Sequence, residues 1–301
     1  MGVENMKRFF TSFSKTLLLS CKGISITELL VSVTLAGVVF SGLMNQYLQS
    51  TRTSHDQAVR TSNNLKAQAV LQTIISELRI LGNGVPFDQA NFQIGELTLS
   101  DQTVTEPISI ANTTANQIAF RLNESGDVHL LTQAFDPATS LSITLTDVTS
   151  LDVNDPIYIS DSVVSGDDGL YGTVTGVNTG SKTITISATY VTRPGATFAV
   201  GSILEEVPLV TISSAADGTG ITRDSGFGPL LLAENSTMEL EYLDENQNVL
   251  ALPLTHDMLV NQLRAIRVSI SVNSTDTLRS GENYQTQASA IVGLRNLNYL
   301  Y

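Results

Sequence analysis

The fold of this chain is decided by residues 22–30, Lys-Gly-Ile-Ser-Ile-Thr-Glu-Leu-Leu, where a basic segment ends in glycine and a long apolar run begins. One carboxylate, Glu28, lies five residues after the glycine, and no charged residue occurs from Leu29 to Thr51. A helix needs ~20 apolar residues to cross the hydrocarbon core of a bilayer. The stretch therefore predicts a membrane-spanning helix with a single acid near its start.

Glu28 is the residue of this helix that most needs an explanation. A charge within a membrane span costs on the order of 2.5–3.5 kcal/mol on insertion scales, and such residues usually have a function and a partner. If the chain is cut after Gly23, the new ammonium group at Ile24 becomes a candidate counter-charge, in the same subunit or in a neighbouring one.

These residues resemble the class III signal of the type IV pilin and pseudopilin family. The matching features are Gly23 before the cut, the hydrophobic Ile24 after it, Glu28 at position five, and the apolar helix that follows. The resemblance implies that a prepilin peptidase cleaves after Gly23 and methylates the new N-terminus at Ile24. It also implies that Glu28 pairs with the N-terminal amine of an adjacent subunit during filament assembly.

Two other N-terminal signals do not fit the sequence. The apolar stretch before Cys21 covers only residues 16–19, whereas an export signal needs 7–15 apolar residues. A secretory signal built on residues 29–43 lacks a small-residue cleavage site and has Glu28 at its edge. Four basic residues precede the span and only two follow it closely, which predicts a cytoplasmic N-terminus and an external C-terminal domain.

The composition agrees with an exported, acidic domain. The net charge is −13, and without residues 1–23 the chain keeps 12 basic and 28 acidic residues, or −16. This charge argues against general binding to phosphates, so we expect no nucleic-acid partner. The single cysteine, Cys21, lies in the expected leader, so a mature chain starting at Ile24 forms no disulfide.

The domain organisation predicted is an α+β fold with a leader at 1–23, a pilin-like helix at 24–81 and a periplasmic β-rich domain at 82–301. Apolar residues recur at helical spacing from Val59 to Leu81, and Gly82, Asn83 and Gly84 form a stop. Residues 71–79 resemble the end of the first helix in large PilW-like minor pilins.

The β-rich domain shows several local strand patterns. We expect hairpins from 117–122 with 128–132, from 171–177 with 182–188, and from 237–243 with 249–254. Residues 266–272 alternate as a half-buried strand. An inserted β module is expected at about 141–214. The strand 287–294, ending before Arg295 and Asn296, resembles the C-terminal pattern of PilW-like and J-type proteins.

The sequence contains no complete catalytic or metal-binding motif. The histidines lack a metal-ligand pattern; they are His55, His129 and His256. Asp244, Asn246 and Asn248 match half of a calcium loop, but Val249 and Thr255 break the pattern, so a polar hairpin is expected. A calcium loop is left open at Asp152, Asn154, Asp155, Asp167 and Asp168. We expect no enzyme activity, no cofactor and no metal.

The resemblance implies that the chain is a minor pilin, a structural and assembly subunit of a type IV pilus. Its implied partners are other minor and major pilins, the prepilin peptidase, the inner-membrane assembly platform and membrane lipid. It would lie in the inner membrane and, after assembly, in the pilus at the cell surface. Two alternatives stay open: a J-type pseudopilin of a type II secretion system, and a tip adhesin or binding subunit that uses the module at 141–214.

Overall fold

The computed structural model describes residues 25–83, 107–160, 169–191, 195–215, 217–255 and 257–294. The fold is α+β, with one long apolar helix near the N-terminus followed by a β-rich region. The chain divides into two compact units, Met1–Gln57 and Ala58–Tyr301, and helix α1 (Ile26–Ile80) contributes to both.

Helix α1 begins and ends where the sequence predicts. Its first hydrogen bonds run from the N–H groups of Glu28 and Leu29 to the carbonyl of Ser25, at 2.9 and 3.0 Å. It ends at Ile80, and Gly82 adopts a φ of 77°, a left-handed conformation that glycine takes without strain. The helix expected at 24–81 is confirmed from 26 to 80, while Ile24 and Gly84 lie outside the described residues.

Thirteen strands lie in the described part of the second unit and form three antiparallel sheets. Sheet A consists, in spatial order, of β1 (Gln117–Arg121), β8 (Leu209–Ser214), β9 (Gly220–Asp224) and β10 (Leu230–Glu234). Sheet B consists of β11 (Ser236–Leu243), β12 (Ala265–Thr277) and β13 (Asn283–Gly293). Sheet C consists of β2 (His129–Leu130), β7 (Ile203–Glu206), β4 (Pro156–Ser160), β5 (Gly169–Asn178), β6 (Thr183–Val191) and β3 (Ser142–Thr144). Two short turns complete the described elements, a 3-10 turn at Ile110–Asn112 and a π turn at Met258–Gln262.

The main core forms between the second half of α1 and sheets A and B. The helix buries one face, which repeats at helical spacing and consists of Val59, Asn63, Ala67, Val70, Leu71, Ile74, Ile75 and Leu78. From Ala67 onward, these side chains join one cluster with Phe120 of sheet A and Ile266 and Val268 of sheet B. Each fully buried Leu or Ile contributes about 1.5–3 kcal/mol relative to exposure.

Two polar contacts fix the helix on these sheets. The buried amide of Asn63 donates to the carbonyl of Val272 in β12 at 2.9 Å and to that of Tyr284 in β13 at 3.1 Å. Nearer the end of the helix, Glu77 accepts two hydrogen bonds from Arg223 of β9, at 3.1 and 3.3 Å. Burying the Asn63 amide is tolerated because both of its N–H groups are satisfied.

Sheet C has a hydrophobic core of its own. Its cluster runs from Leu131 to Leu204 and includes Phe135 stacked on Phe198, with ring centroids 6.0 Å apart. The sheet begins at His129 and ends at Glu206, whereas the expected module spans about 141–214. Strand β8 belongs instead to sheet A, because Val210 and Ile212 bury their side chains in the main core and β8 pairs with β1.

Sheet C is inserted between β1 and β8, which are neighbours in sheet A. The two crossing segments lie side by side: Asn123 donates to the Glu205 carboxylate at 3.0 Å, and Arg121 donates to the carbonyl of Val207 at 3.3 Å. The predicted hairpin from 117–122 with 128–132 is therefore wrong, since β1 pairs with β8 and β2 pairs with β7. Long-range pairing overrides the local turn at this point.

Of three other predictions of local strand structure, two are confirmed and one is confirmed only in part. The hairpin through 178–181 is confirmed, with Asn178 paired to Thr183. The strand at 266–272 is confirmed by the strict alternation of buried and half-buried residues along β12. The hairpin from 237–243 with 249–254 is reduced to a turn, because its second arm contributes only the bridge between Leu243 and Val249.

Negative charges gather where the chain crosses between sheets A and C. Burial first, and then the charges of Asp155, Glu124, Asp127 and Asp152, raise the pKa of Glu206. The folded state therefore holds the Glu206 proton more tightly than the unfolded state does. It follows that the ionised carboxylate destabilises the fold at neutral pH.

We expect Asn63→Ala to lower the free energy of unfolding by about 1–3 kcal/mol, because the buried carbonyl of Val272 and the partly buried carbonyl of Tyr284 lose the Asn63 amide as a donor. The measurement is urea unfolding of the detergent-solubilised chain, followed by the near-ultraviolet circular dichroism of its tyrosines. Gln68→Ala, at an exposed position of the same helix, is the control and should change stability by less than about 0.5 kcal/mol. Equal effects of the two substitutions would contradict the role given to Asn63.

We expect Glu206→Gln to stabilise the chain at neutral pH by less than about 1 kcal/mol, since the side chain is only partly buried. The gain should be largest above the raised pKa of Glu206 and should vanish below the ordinary glutamate pKa, near ~4.3, where the wild-type carboxyl is neutral in both states. The thermal midpoint of both chains, measured against pH, checks this. Glu239→Gln, at an exposed position of β11, is the matched control. A gain that persists in acid would contradict the electrostatic cause.

Candidate functional site

The candidate site is the first half of α1, which carries the predicted assembly residue Glu28. Glu28 is the third residue of the helix and lies in its first turn. The predicted processing residues, Gly23 and Ile24, lie outside the described residues, so the structure does not test the position of the cut.

The Glu28 carboxylate has no hydrogen-bond or ion-pair partner among the residues that the structure describes. Ser25 and Glu28 have the spacing of a capping box, but the Ser25 hydroxyl contacts the hydroxyl of Thr27, at 2.7 Å. The helix dipole stabilises an acid at this position by about 0.3–1 kcal/mol. This gain is smaller than the ~2.5–3.5 kcal/mol that a charge costs at the centre of a membrane span, so a nearby cation would stabilise the Glu28 carboxylate if this helix lies in a bilayer.

The hydroxyl groups of the span, in contrast, are satisfied within the helix. Ser32 donates to the carbonyl of Glu28 at 2.7 Å, Thr34 to that of Leu30 at 2.6 Å, and Ser41 to that of Val38 at 2.8 Å. Each bond removes most of the cost of placing a hydroxyl in hydrocarbon. Within residues 29–44, these three hydroxyls are the polar side chains. In the described part of the span, Glu28 is therefore the polar side chain without a partner inside the helix.

The apolar side chains of this half-helix are exposed on every side. Ile26 is 78% exposed and Phe40 is 74% exposed, and the helix is long and apolar enough to cross a membrane. A helix that is apolar all round is stable in a bilayer or inside a bundle, and not in water. The apolar surface ends at Leu48, beyond which polar side chains such as Gln49, Ser50 and Thr53 follow.

The half-match to a calcium loop at residues 244–248 is a polar turn, with only the bridge between Leu243 and Val249 left of the expected polar hairpin. The Asp244 carboxylate accepts the backbone N–H groups of Asn246 and Asn248, both at 2.8 Å, and the Asn248 side-chain amide at 2.9 Å. The Asn248 side chain, ahead of the two backbone groups, lowers the pKa of Asp244. The carboxylate therefore organises the turn between Leu243 and Val249.

The second candidate calcium loop is described only in part. Asp155 accepts the backbone N–H of Asp152 at 2.5 Å, while Asp167 and Asp168 lie outside the described residues. Within the described ranges, no three His, Cys, Asp or Glu side chains come together in a way that could hold a metal ion.

The described histidines have structural or exposed positions. His129 is buried in β2, where Nδ1 lies 2.9 Å from the carbonyl of Asp147 and Nε2 lies 3.2 Å from the Ser150 hydroxyl. His55 is exposed on α1, and His256 lies outside the described residues. His129 thus ties β2 to the loop at 147–150.

A shallow groove of about 560 Å³ crosses the outer face of sheet B, where it meets residues 115–116 and 214–215. Its polar side chains include Asn116, Glu239, Ser271 and Gln287. Apart from Glu239, the groups that line it are neutral amides, hydroxyls and apolar side chains. The groove therefore offers hydrogen bonds but no pair of titratable groups for proton transfer among its described lining residues.

No protein-family model matches this chain, and the comparison with curated proteins gives no match either.

Proposed function

We propose that this protein is a minor pilin, a structural and assembly subunit of a type IV pilus that is processed by a prepilin peptidase. The observation that carries the proposal is the uncompensated Glu28 in the first turn of a helix that is exposed and apolar all round. The sequence around it resembles the class III signal, with Gly23 and Ile24 as the processing site.

The proposed assembly step is the pairing of the Glu28 carboxylate with an N-terminal amine in an apolar environment. Cleavage after Gly23 produces an amine at Ile24, four residues before Glu28. In hydrocarbon, an unpaired carboxylate and an unpaired ammonium are each costly, and they stabilise each other when two helices bring them together. The amine of one subunit and Glu28 of the next would thereby set the register of the helices in a bundle.

The packing of α1 in the second unit is also consistent with a minor pilin. The second half of α1 buries one face on sheets A and B, so that half is part of the β-rich domain and is already covered. The first half carries the exposed apolar surface that neighbouring pilin helices, and membrane lipid before assembly, would cover. The protein would lie in the inner membrane with a periplasmic domain, and in the pilus after assembly.

The size of the domain suggests a low-copy subunit, because this bulk at every position would crowd a filament. The partners proposed are other minor and major pilins, the prepilin peptidase and the inner-membrane assembly platform. A J-type pseudopilin of a type II secretion system would use the same helix in the same way. The genes that neighbour this one would separate these two assemblies.

We expect Glu28→Ala to leave membrane insertion and cleavage intact but to abolish assembly. The substitution makes the helix more apolar, and the peptidase is expected to recognise mainly the residues around Gly23. In the bundle, however, it would leave an ammonium group without its partner, which costs ~3–5 kcal/mol. Co-purification with other minor pilins and a count of surface pili check this prediction.

The matched control for Glu28 is Thr27→Ala, in the same helical turn, which removes a polar group but no charge. This control should assemble at the wild-type level. Normal co-purification and piliation of Glu28→Ala would show that Glu28 is only a tolerated acid at the membrane edge, and would leave a simple membrane anchor as the better explanation.

A tip binding subunit is the second candidate function, and sheet C favours it. This sheet has its own core and is inserted between two strands that are already neighbours, so the rest of the domain can close without it. Such an insertion is free to carry a binding surface outward on a filament.

We expect a chain without residues 124–206 to assemble pili normally, because Asn123 would then join Val207 across a short turn between β1 and β8. If sheet C is a binding module, these pili lose attachment to their target surface, which an adhesion assay measures beside the pilus count. Unchanged attachment would contradict the binding role and would indicate that sheet C only stabilises the domain. The control variant replaces the loop residue Val200, which is 58% exposed on the insertion, by Ser.

A further inference from the structure

The hairpin between β9 and β10 presents an apolar tip, formed by Phe227, Leu230 and Leu231. Their exposed fractions are 94%, 64% and 49%. Single exposed apolar residues are common on soluble domains. Here an almost fully exposed phenylalanine is followed by two exposed leucines, which pair with Arg223 and Thr222 and so lie on the two faces of the hairpin.

The turn beneath Phe227 is held in one conformation. The Asp224 carboxylate accepts the backbone N–H groups of Gly226 at 2.8 Å and Gly228 at 3.1 Å. These glycines, on either side of Phe227, adopt φ values of 98° and 102°, which other residues reach only with strain. Two glycines and one carboxylate thus fix a turn whose one large side chain points into solvent.

The base of the hairpin is fixed as well. Arg223, next to Asp224, is held by Glu77 of α1 through two hydrogen bonds and by Glu124 at 2.8 Å. Its side chain is only 13% exposed. Because the turn and its base are already ordered, docking of the tip loses little conformational entropy.

The base of the hairpin carries an excess of negative charge. Glu77 and Glu124 both pair with the one guanidinium of Arg223, and Asp224 adds a third carboxylate. Glu124 is 45% exposed and belongs to the group of acids that contributes to the raised pKa of Glu206. An anionic membrane surface would be repelled by these charges, and so would the same acidic surface of a second copy. A basic partner surface would be attracted.

We infer that the apolar tip docks into an apolar socket, rimmed by lysine or arginine, on a different protein. Phe227 enters the socket as the central anchor, Leu230 and Leu231 contact its walls from the two faces of the hairpin, and the acids at the hairpin base face the basic rim. Aromatic side chains are enriched at the centres of protein interfaces, and charged ones lie at the rim. The inference does not depend on the pilus proposal, because it uses only the second unit.

The test is photo-crosslinking of the full-length chain in its native host, with benzoylphenylalanine in place of Phe227. The control carries the same photoreactive residue at Val200, an exposed apolar position on the insertion. The expected result is a crosslink from position 227, absent from position 200, to one other protein at a peptide that joins apolar residues with lysine or arginine. The crosslink should weaken in membrane extracts at raised ionic strength.

A second arm measures co-purification of that identified partner. Phe227→Ser should lower it at least about ten-fold, the equivalent of ~1.4 kcal/mol, while Leu141→Ser, at another exposed apolar position, should not. The thermal midpoint of Phe227→Ser should stay unchanged, because the side chain buries almost nothing in the chain itself. A crosslink to a second copy, to lipid, to residues 84–106 of the same chain, or to a peptide without basic residues would overturn the inference. Crosslinking no stronger than at position 200 would overturn it as well.

Discussion

The burial of one face of α1 against sheets A and B is the interaction on which the rest of the structure depends. The side chains from Ala67 to Leu81 fill the space between the two sheets and join them in one core. Asn63 and Glu77 add polar contacts near either end of this face, to β12 and β13 in one case and to β9 in the other. The first half of the helix lies beyond this face, and its apolar side chains stay exposed.

The first half of the helix has the side chains that a membrane-spanning helix requires. Its hydroxyl groups donate hydrogen bonds to backbone carbonyls of the same helix, and its apolar side chains are exposed on every side. Glu28 alone is left without compensation in the described part of the span. The helix dipole alone offsets only part of the cost of that charge in a bilayer. We propose that the amine that cleavage before Ile24 would expose supplies the balancing cation.

Sequence alone predicted the features that rest on local patterns. The bounds of α1, the alternation in β12 and the hairpin through 178–181 each depend on residues close together in the chain. The partner of β1 could not be predicted in this way, since the strand that pairs with it lies beyond an insertion of about 80 residues with a core of its own. Glu28 was identified from the sequence, whereas the contact of Arg223 with Glu77 and the exposure of Phe227 needed three-dimensional positions.

The central claim is that the mature protein begins at Ile24 and uses that amine in assembly. The most direct measurement is the intact mass of the protein extracted from membranes and filaments. The account predicts a chain that starts at Ile24 and carries one methyl group on its N-terminus. A mass that includes residues 1–23 in assembled filaments, or a first residue other than Ile24, would contradict it.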